Sequence, residues 1–285
     1  MTTELRACVV CGGAVEPAPS KDGYELVRCT SCGLLMRRAL PTPQDLEAIY
    51  APDYFTYDPA HPVDGYADYI GDAERHREVA RRRLGVIERF SDRRGRLLDV
   101  GAAAGFFVDE ARDAGWAAEG VDVAANVVEW GRRELGVELR IGDISSVSEP
   151  EAFHAVTMWD YIEHSLDPRA DVAKANELLA PGGLMALSTG DLDSAAARLS
   201  RSRWHLLTPR HHNFFFSERT LSQLLERNGF AIEWAGHPGA RYSLAHLAYK
   251  GLPEAAARRL ATSAIARYSL PVNLFDIVTV VARKR

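Results

Sequence analysis

The stretch RLLDVGAAAGFFVDEARDAG, residues 96–115, decides the fold. Leu97, Leu98 and Val100 belong to a short apolar strand, small residues fill a loop from Gly101 to Gly105, and a helical pattern begins at Phe106. Small side chains let the backbone of such a loop approach a ligand and aim the amides of the helix N-terminus at it. Asp99 stands two positions before the loop. An acid there suits an ammonium group better than a pyrophosphate. The dinucleotide fingerprint also asks for glycine where Ala103 and Phe106 stand, which counts against a nicotinamide cofactor.

Downstream, apolar segments alternate with helical ones. Strands are expected over residues 118–121, 138–141, 154–159, 184–188, 230–234 and 277–281. Helices are expected over 124–135, 168–180 and 217–228, the second ending at Pro181-Gly182-Gly183 and the third between a Ser217 cap and Gly229. This alternation predicts an α/β fold, a parallel sheet with helices on both faces. Ligands of such sheets sit at the carboxyl ends of the strands. Asp122, 21 positions beyond Gly101, can there accept both hydroxyls of a ribose. Asp143 can accept from an adenine amino group, with Ile144 packing on the ring, and the next loop offers Asp160, Glu163 and His164. The implied ligand has a cationic amino-acid end and an adenosine end.

Upstream lie all four cysteines, Cys8-x-x-Cys11 and Cys29-x-x-Cys32, with 17 residues between the pairs. Two thiolates separated by two residues grip one face of a tetrahedral ion, and a hairpin of this length brings back the second pair. Gly12 and Gly33 supply the permissive backbone of the two knuckles. The expectation is a closed, structural Zn2+ site in a ribbon over residues 1–40; a disulfide framework would need an oxidising compartment. Residues 41–94 read as a linker and helical cap, with a short helix at 44–50, a tyrosine-rich stretch from Tyr50 to Tyr69, and a helix over 66–90. Nine arginines against four acids between Glu74 and Arg96 suggest the solvated face of that helix.

A hydrophobic content of 47% in 285 residues supports a sizeable core. The chain shows no leader-like or membrane-spanning run, so a cytoplasmic protein is expected. A net charge of −5 opposes a nucleic-acid partner as the main business.

Taken together, Leu98-Asp99-Val100-Gly101-x3-Gly105, Asp122, Asp143, Asp160-Tyr161-Ile162-Glu163-His164 and Leu179-Ala180-Pro181-Gly182-Gly183 resemble the class I S-adenosylmethionine-dependent methyltransferases over most of residues 95–235. The resemblance implies a Rossmann-like seven-stranded sheet over 95–285 and cofactor contacts at Asp99, Gly101, Ala103, Gly105, Asp122, Asp143, Ile144 and Asp160. Ala103 replaces the family's middle glycine. A four-cysteine ribbon ahead of such a domain is similar to bacterial enzymes that methylate sugars and secondary metabolites, which implies a small polar acceptor. Glu163, His164, His211 and His212 are the candidate catalytic residues, since a proton must leave most acceptors and histidine titrates near neutrality. Residues 190–216 and a helical stretch over 239–272 are expected on the substrate side, in a monomer or homodimer. Two rivals are an RNA methyltransferase with an RNA-binding ribbon and a non-catalytic cofactor-binding protein.

Overall fold

The computed structural model describes residues 3–42, 45, 69–243, 259–260 and 269–285. The short helix expected at 44–50, the tyrosine-rich stretch before Tyr69 and most of the helical stretch at 255–267 lie outside them. The N-terminal segment contains β1 (Thr3–Glu4), β2 (Val15–Lys21), β3 (Tyr24–Cys29), β4 (Leu35–Arg37) and β5 (Ala39–Leu40). Helix α1 (Ala73–Glu88) leads into the alternating part: β6 (Arg96–Val100), α2 (Phe106–Asp113), β7 (Ala117–Asp122), α3 (Ala125–Glu134), β8 (Glu138–Ile141), β9 (Phe153–Trp159), α4 (Pro168–Leu178) and β10 (Leu179–Gly190). Then come α5 (Ala195–Ser200), β11 (Phe214–Phe215), α6 (Glu218–Arg227), β12 (Phe230–Gly236), β13 (Ala240–Ser243), β14 (Ser269–Val272) and β15 (Ile277–Lys284).

The central sheet has seven strands in the order β12-β15-β10-β9-β6-β7-β8. β6 pairs in parallel with β7 and β9, and β9 in parallel with β10, so the loops after these strands emerge on one edge. Near-continuous burial of β6 and β9 explains why both read as apolar runs instead of alternating ones. One expectation is corrected: the sheet is mixed, because β15 runs antiparallel to both β10 and β12. A second correction concerns Pro181-Gly182-Gly183, which lies inside strand β10. Leu179 already pairs with Phe153, and the turn residues form an irregularity before pairing resumes at Leu184; Gly182, at φ +74°, takes the left-handed conformation this requires. At the ends of the 239–272 stretch the chain is extended, β13 pairing antiparallel with β14.

Helix α6 begins as predicted, with Ser217 and Thr220 forming reciprocal caps. Helix α1 is anchored to α2 by Arg77, whose guanidinium meets Asp109 at 2.6 Å and Glu110 at 3.0 Å. The arginine-rich face is solvated as expected at Arg81 and Arg82, which stay exposed while pairing with acids, whereas Arg83 turns inward to Asp160. The N-terminal ribbon joins the main sheet's helical layer through β11, which extends β2-β3-β4 to four strands. One apolar cluster runs from Val27, Leu34 and Met36 to Phe214, Phe216, Leu221 and the strands β9 and β10. Among the described residues, no helix is long and apolar enough to cross a membrane.

Candidate active site

Parallel strands place their following loops side by side, and here those loops enclose a cavity of about 640 Å³ roofed by α1. Its wall includes Asp99, Gly101, Ala103, Asp122, Asp143, Asp160 and His164, seven residues singled out from the sequence. Gly101 lies at φ +76°, and a Cβ there would meet the Tyr161 ring at 2.8 Å, so the loop after β6 is pressed against the loop after β9. Ala103 adopts φ +46°, a region that disfavours a side chain; its amide donates to Asp122 Oδ2 at 2.8 Å. The other Asp122 oxygen accepts from the Ala124 amide, also at 2.8 Å. These two bonds hold the carboxylate rigidly and leave each oxygen a lone pair for a ligand hydroxyl. Burial pushes its pKa up against the lowering effect of the two amides.

Asp99 is 3% exposed and accepts from Thr157 Oγ1 at 2.6 Å. Burial raises its pKa to about 7, so a cationic ligand group would convert it from a half-protonated to an ionised acid. Asp160 stands at φ +51°, a second strained position on the cavity wall. Although burial would raise its pKa, the Arg83 guanidinium and the Ser188 hydroxyl outweigh that and hold it below the usual range. Arg83 also lies over the Trp159 ring, 5.0 Å from its centroid. Asp143 caps a single turn by accepting from the Ser145 amide at 2.9 Å.

The remaining expected residues sit behind this wall. Gly105, at φ +82°, turns the chain into α2 and abuts Val137 and Leu139. Ile144 is 1% exposed and packs into the main core, because the turn capped by Asp143 directs it inward. Glu163 is buried, its Oε2 has no hydrogen-bond partner among the described residues, and burial followed by the nearby Asp160 charge raises its pKa to about 8. His164 and His212 pack edge to face with ring centroids 4.7 Å apart. Burial pulls their pKa values down to about 4 and about 3. The His211 carbonyl accepts from His164 Nδ1 at 3.0 Å. A shared frame holds the group: the Asn213 amide donates to the Glu163 carbonyl at 2.7 Å, and its side-chain nitrogen to the carbonyls of His164 and Ser165 at 3.0 and 3.1 Å.

The four cysteines also converge. Sulfur atoms of Cys8 and Cys32 are 3.5 Å apart and those of Cys11 and Cys29 are 3.4 Å apart. A disulfide would bring sulfurs to about 2 Å, whereas Zn–S bonds of about 2.3 Å place them close to 3.8 Å, so the set fits a tetrahedral ion. Amides of Ser31 and Cys32 donate to the Cys29 sulfur at 3.4 Å, and they outweigh burial to lower that thiol's pKa to about 6.

A family model described as a methyltransferase domain matches residues 72–234, more than half of the chain. The chain belongs to this methyltransferase family. A ubiquinone biosynthesis O-methyltransferase of Neisseria meningitidis is 29% identical over 138 residues, 45% of this chain and 58% of the relative. The chain spans about half the length of the curated relatives it matches. The PH0226 protein of Pyrococcus horikoshii superposes with a TM-score of 0.52 at 17% identity, covering 82% of this chain and 96% of that one. The 1,6-didemethyltoxoflavin-N1-methyltransferase of Burkholderia thailandensis, solved with 1,6-didemethyltoxoflavin and S-adenosylhomocysteine, gives 0.50 at 16% identity, with 94% and 99% covered. At such identities these structures speak for the fold alone.

Two further residues, Arg83 and Trp159, line the cavity without a local sequence signal of comparable strength. The arginine run predicts a solvated position for Arg83, yet the side chain reaches Asp160 and Ser188. Trp159 lines the cavity, and its buried indole nitrogen has no partner among the described residues, a ready donor at the end of β9. A tryptophan closing an apolar strand beside an acid was the available signal; nothing local marks Arg83 among its neighbouring arginines.

Proposed function

We propose that this protein transfers a methyl group from S-adenosylmethionine to a small polar acceptor, such as a sugar or natural-product intermediate. The observation that carries the reading is the acid-walled cavity in which Asp99, Asp122, Asp143 and Asp160 meet beside His164. When bound, the cofactor supplies an electrophilic methyl group on a cationic sulfur. Asp122 is the residue to hold the ribose hydroxyls, Asp143 the adenine amino group, and Asp99 with Asp160 the amino-acid end. Ala103, with its methyl in place of the family's middle glycine, narrows the channel beside the loop. Tyr161 and α1 cover the site, excluding water and strengthening these interactions. His164 lines the acceptor side with Glu163, His211 and His212 behind it, and an acceptor held in line near 3 Å needs little further activation once its proton has left. The relatives' name supports an oxygen acceptor.

The same reading divides the chain into a ribbon closed by structural Zn2+ at Cys8, Cys11, Cys29 and Cys32 (1–40), a linker and helical cap (41–94) and the methyltransferase domain (95–285), with substrate-side insertions at 190–216 and 239–272. It favours a small molecule over RNA because Arg77, Arg81, Arg82 and Arg83 are engaged by acids of the same chain. The test is transfer of labelled methyl from S-adenosylmethionine to a panel of phenols, sugars and RNA at low and moderate salt. Label on a small hydroxylated acceptor supports the reading. Label on RNA alone, with retention falling steeply as salt rises, would replace it.

A further inference from the structure

We propose that Asn213 is a positioning residue that links the cysteine ribbon to the loop after β9, so that order in the ribbon fixes the cavity wall at His164 and Ser165. Asn213 is 1% exposed, and each of its polar groups is used. Its backbone amide donates to the Glu163 carbonyl at 2.7 Å, and its own carbonyl accepts from the Arg37 amide at 2.8 Å. Its side-chain nitrogen donates to the carbonyls of His164 and Ser165 at 3.0 and 3.1 Å, while Oδ1 accepts from Arg37 Nη1 at 3.4 Å. The donors of one buried residue thereby hold three consecutive carbonyls of the loop, and its acceptors hold one residue of β4.

The link continues on both sides of Asn213. Toward the ribbon, β4 follows closely on Cys32, and the Cys29 amide donates to the Leu34 carbonyl at 2.9 Å, so the second cysteine knuckle sets where β4 begins. Leu35 and Met36 pair with Phe215 and Phe214, and the Arg37 guanidinium lies over the Tyr24 ring of β3, 4.7 Å from its centroid. Toward the cavity, His164 and Ser165 line the wall. Ser165 Oγ donates to Asp171 at 2.5 Å and accepts from the Asp167 amide at 3.0 Å, and Tyr161 donates to the same Asp171 oxygen at 3.2 Å. Tyr161, Asp167 and Asp171 also line the cavity, so a shift of the backbone held by Asn213 would move much of that wall.

An asparagine suits this position chemically. Its nitrogen supplies two donors for two carbonyls, and its oxygen takes the guanidinium. Aspartate would set a second acceptor against those carbonyls, and alanine would leave them without this donor, a costly state in the interior. The cofactor's own contacts should not feel the change, because Asp99, Asp122 and Asp143 stand at or after β6, β7 and β8 and not on this loop. The consequence for acceptor placement rests on the methyl-transfer reading above; the link from cysteines to loop does not.

The test is amide hydrogen exchange on the zinc-loaded full chain, with and without EDTA, for the unaltered protein, Asn213→Ala and Asn213→Asp. In the unaltered protein, removing zinc should speed exchange at 163–167 at least about tenfold, together with 213–216, and leave 97–100 of β6 unchanged. In the zinc-loaded variants 163–167 should already exchange at least about tenfold faster, and EDTA should then act on the ribbon alone. Exchange at 163–167 that ignores EDTA in the unaltered protein, or that responds to it by the same factor in Asn213→Ala, overturns the proposal. A uniform rise that includes 97–100 overturns it as well. If the variants do not fold, the EDTA comparison on the unaltered chain decides. Titration of S-adenosylmethionine into the same samples keeps the two ideas apart. The variants should retain the unaltered protein's cofactor affinity, while KM for a reactive phenol or sugar of the labelled-methyl panel rises at least about tenfold; an unchanged KM overturns the positioning role. Coupled exchange in a protein that binds no cofactor keeps the link and removes the methyl-transfer reading, and normal cofactor binding with uncoupled exchange removes the link alone.

Discussion

Replacing Asp122 by asparagine keeps the shape of the side chain and removes its charge. In the structure both carboxylate oxygens accept backbone amides, from Ala103 and Ala124, each at 2.8 Å. Asparagine offers one acceptor oxygen, so one amide would face an NH2 group, donor against donor. Losing a hydrogen bond to a charged group costs about 1.5–3 kcal/mol, and relief of the acid's own desolvation, which raises its pKa here, offsets part of that. We expect Asp122→Asn to lower stability by about 1–2 kcal/mol in denaturant unfolding. The ribose hydroxyls would lose an ionised acceptor for a further 1.5–3 kcal/mol, a weakening of S-adenosylmethionine binding by roughly 10- to 150-fold. Calorimetric titration reads this directly, with Glu129→Gln as the control. Unchanged affinity in a folded Asp122→Asn protein would show that the carboxylate does not contact the ligand, and the assignment of this loop would fail.

Two further outcomes follow from the buried groups. Asp99, held near pKa 7, must ionise to attract an ammonium group, so cofactor affinity should rise as pH increases through about 7 and level off above it. Asp99→Asn should bind weakly and lose that slope; a wild-type affinity that is flat between about pH 6 and 8 would contradict the assignment. The sign for stability is opposite: a raised carboxyl pKa stabilises the fold below the unfolded value near 3.9, and that contribution is lost as pH rises through about 7. Stripping metal from the cysteines with a chelator should unravel the ribbon and, because Met36 and Leu35 pair with Phe214 and Phe215, should speed amide hydrogen exchange in 213–216. Exchange there that ignores the chelator would show that the ribbon does not brace this segment.

What the sequence determined by itself was local or regularly spaced. The strand, small-residue loop and helix of 96–115, the acid 21 positions on, the Ser217 cap and the paired cysteines are each legible because turn chemistry and ligand spacing act over a few residues. The mixed direction of the sheet escaped it, since the order of strands is settled by packing across long separations and not by the strands' own residues. Tertiary structure alone took Arg83 out of a run of similar arginines and set it on Asp160, 77 positions away. It also carried β11 to the ribbon, joining Phe214 to Met36, and so brought His212 beside Glu163 and His164. No periodicity encodes such meetings. They arise because burying the apolar faces of the ribbon and the sheet in one core leaves those loops a single place to go.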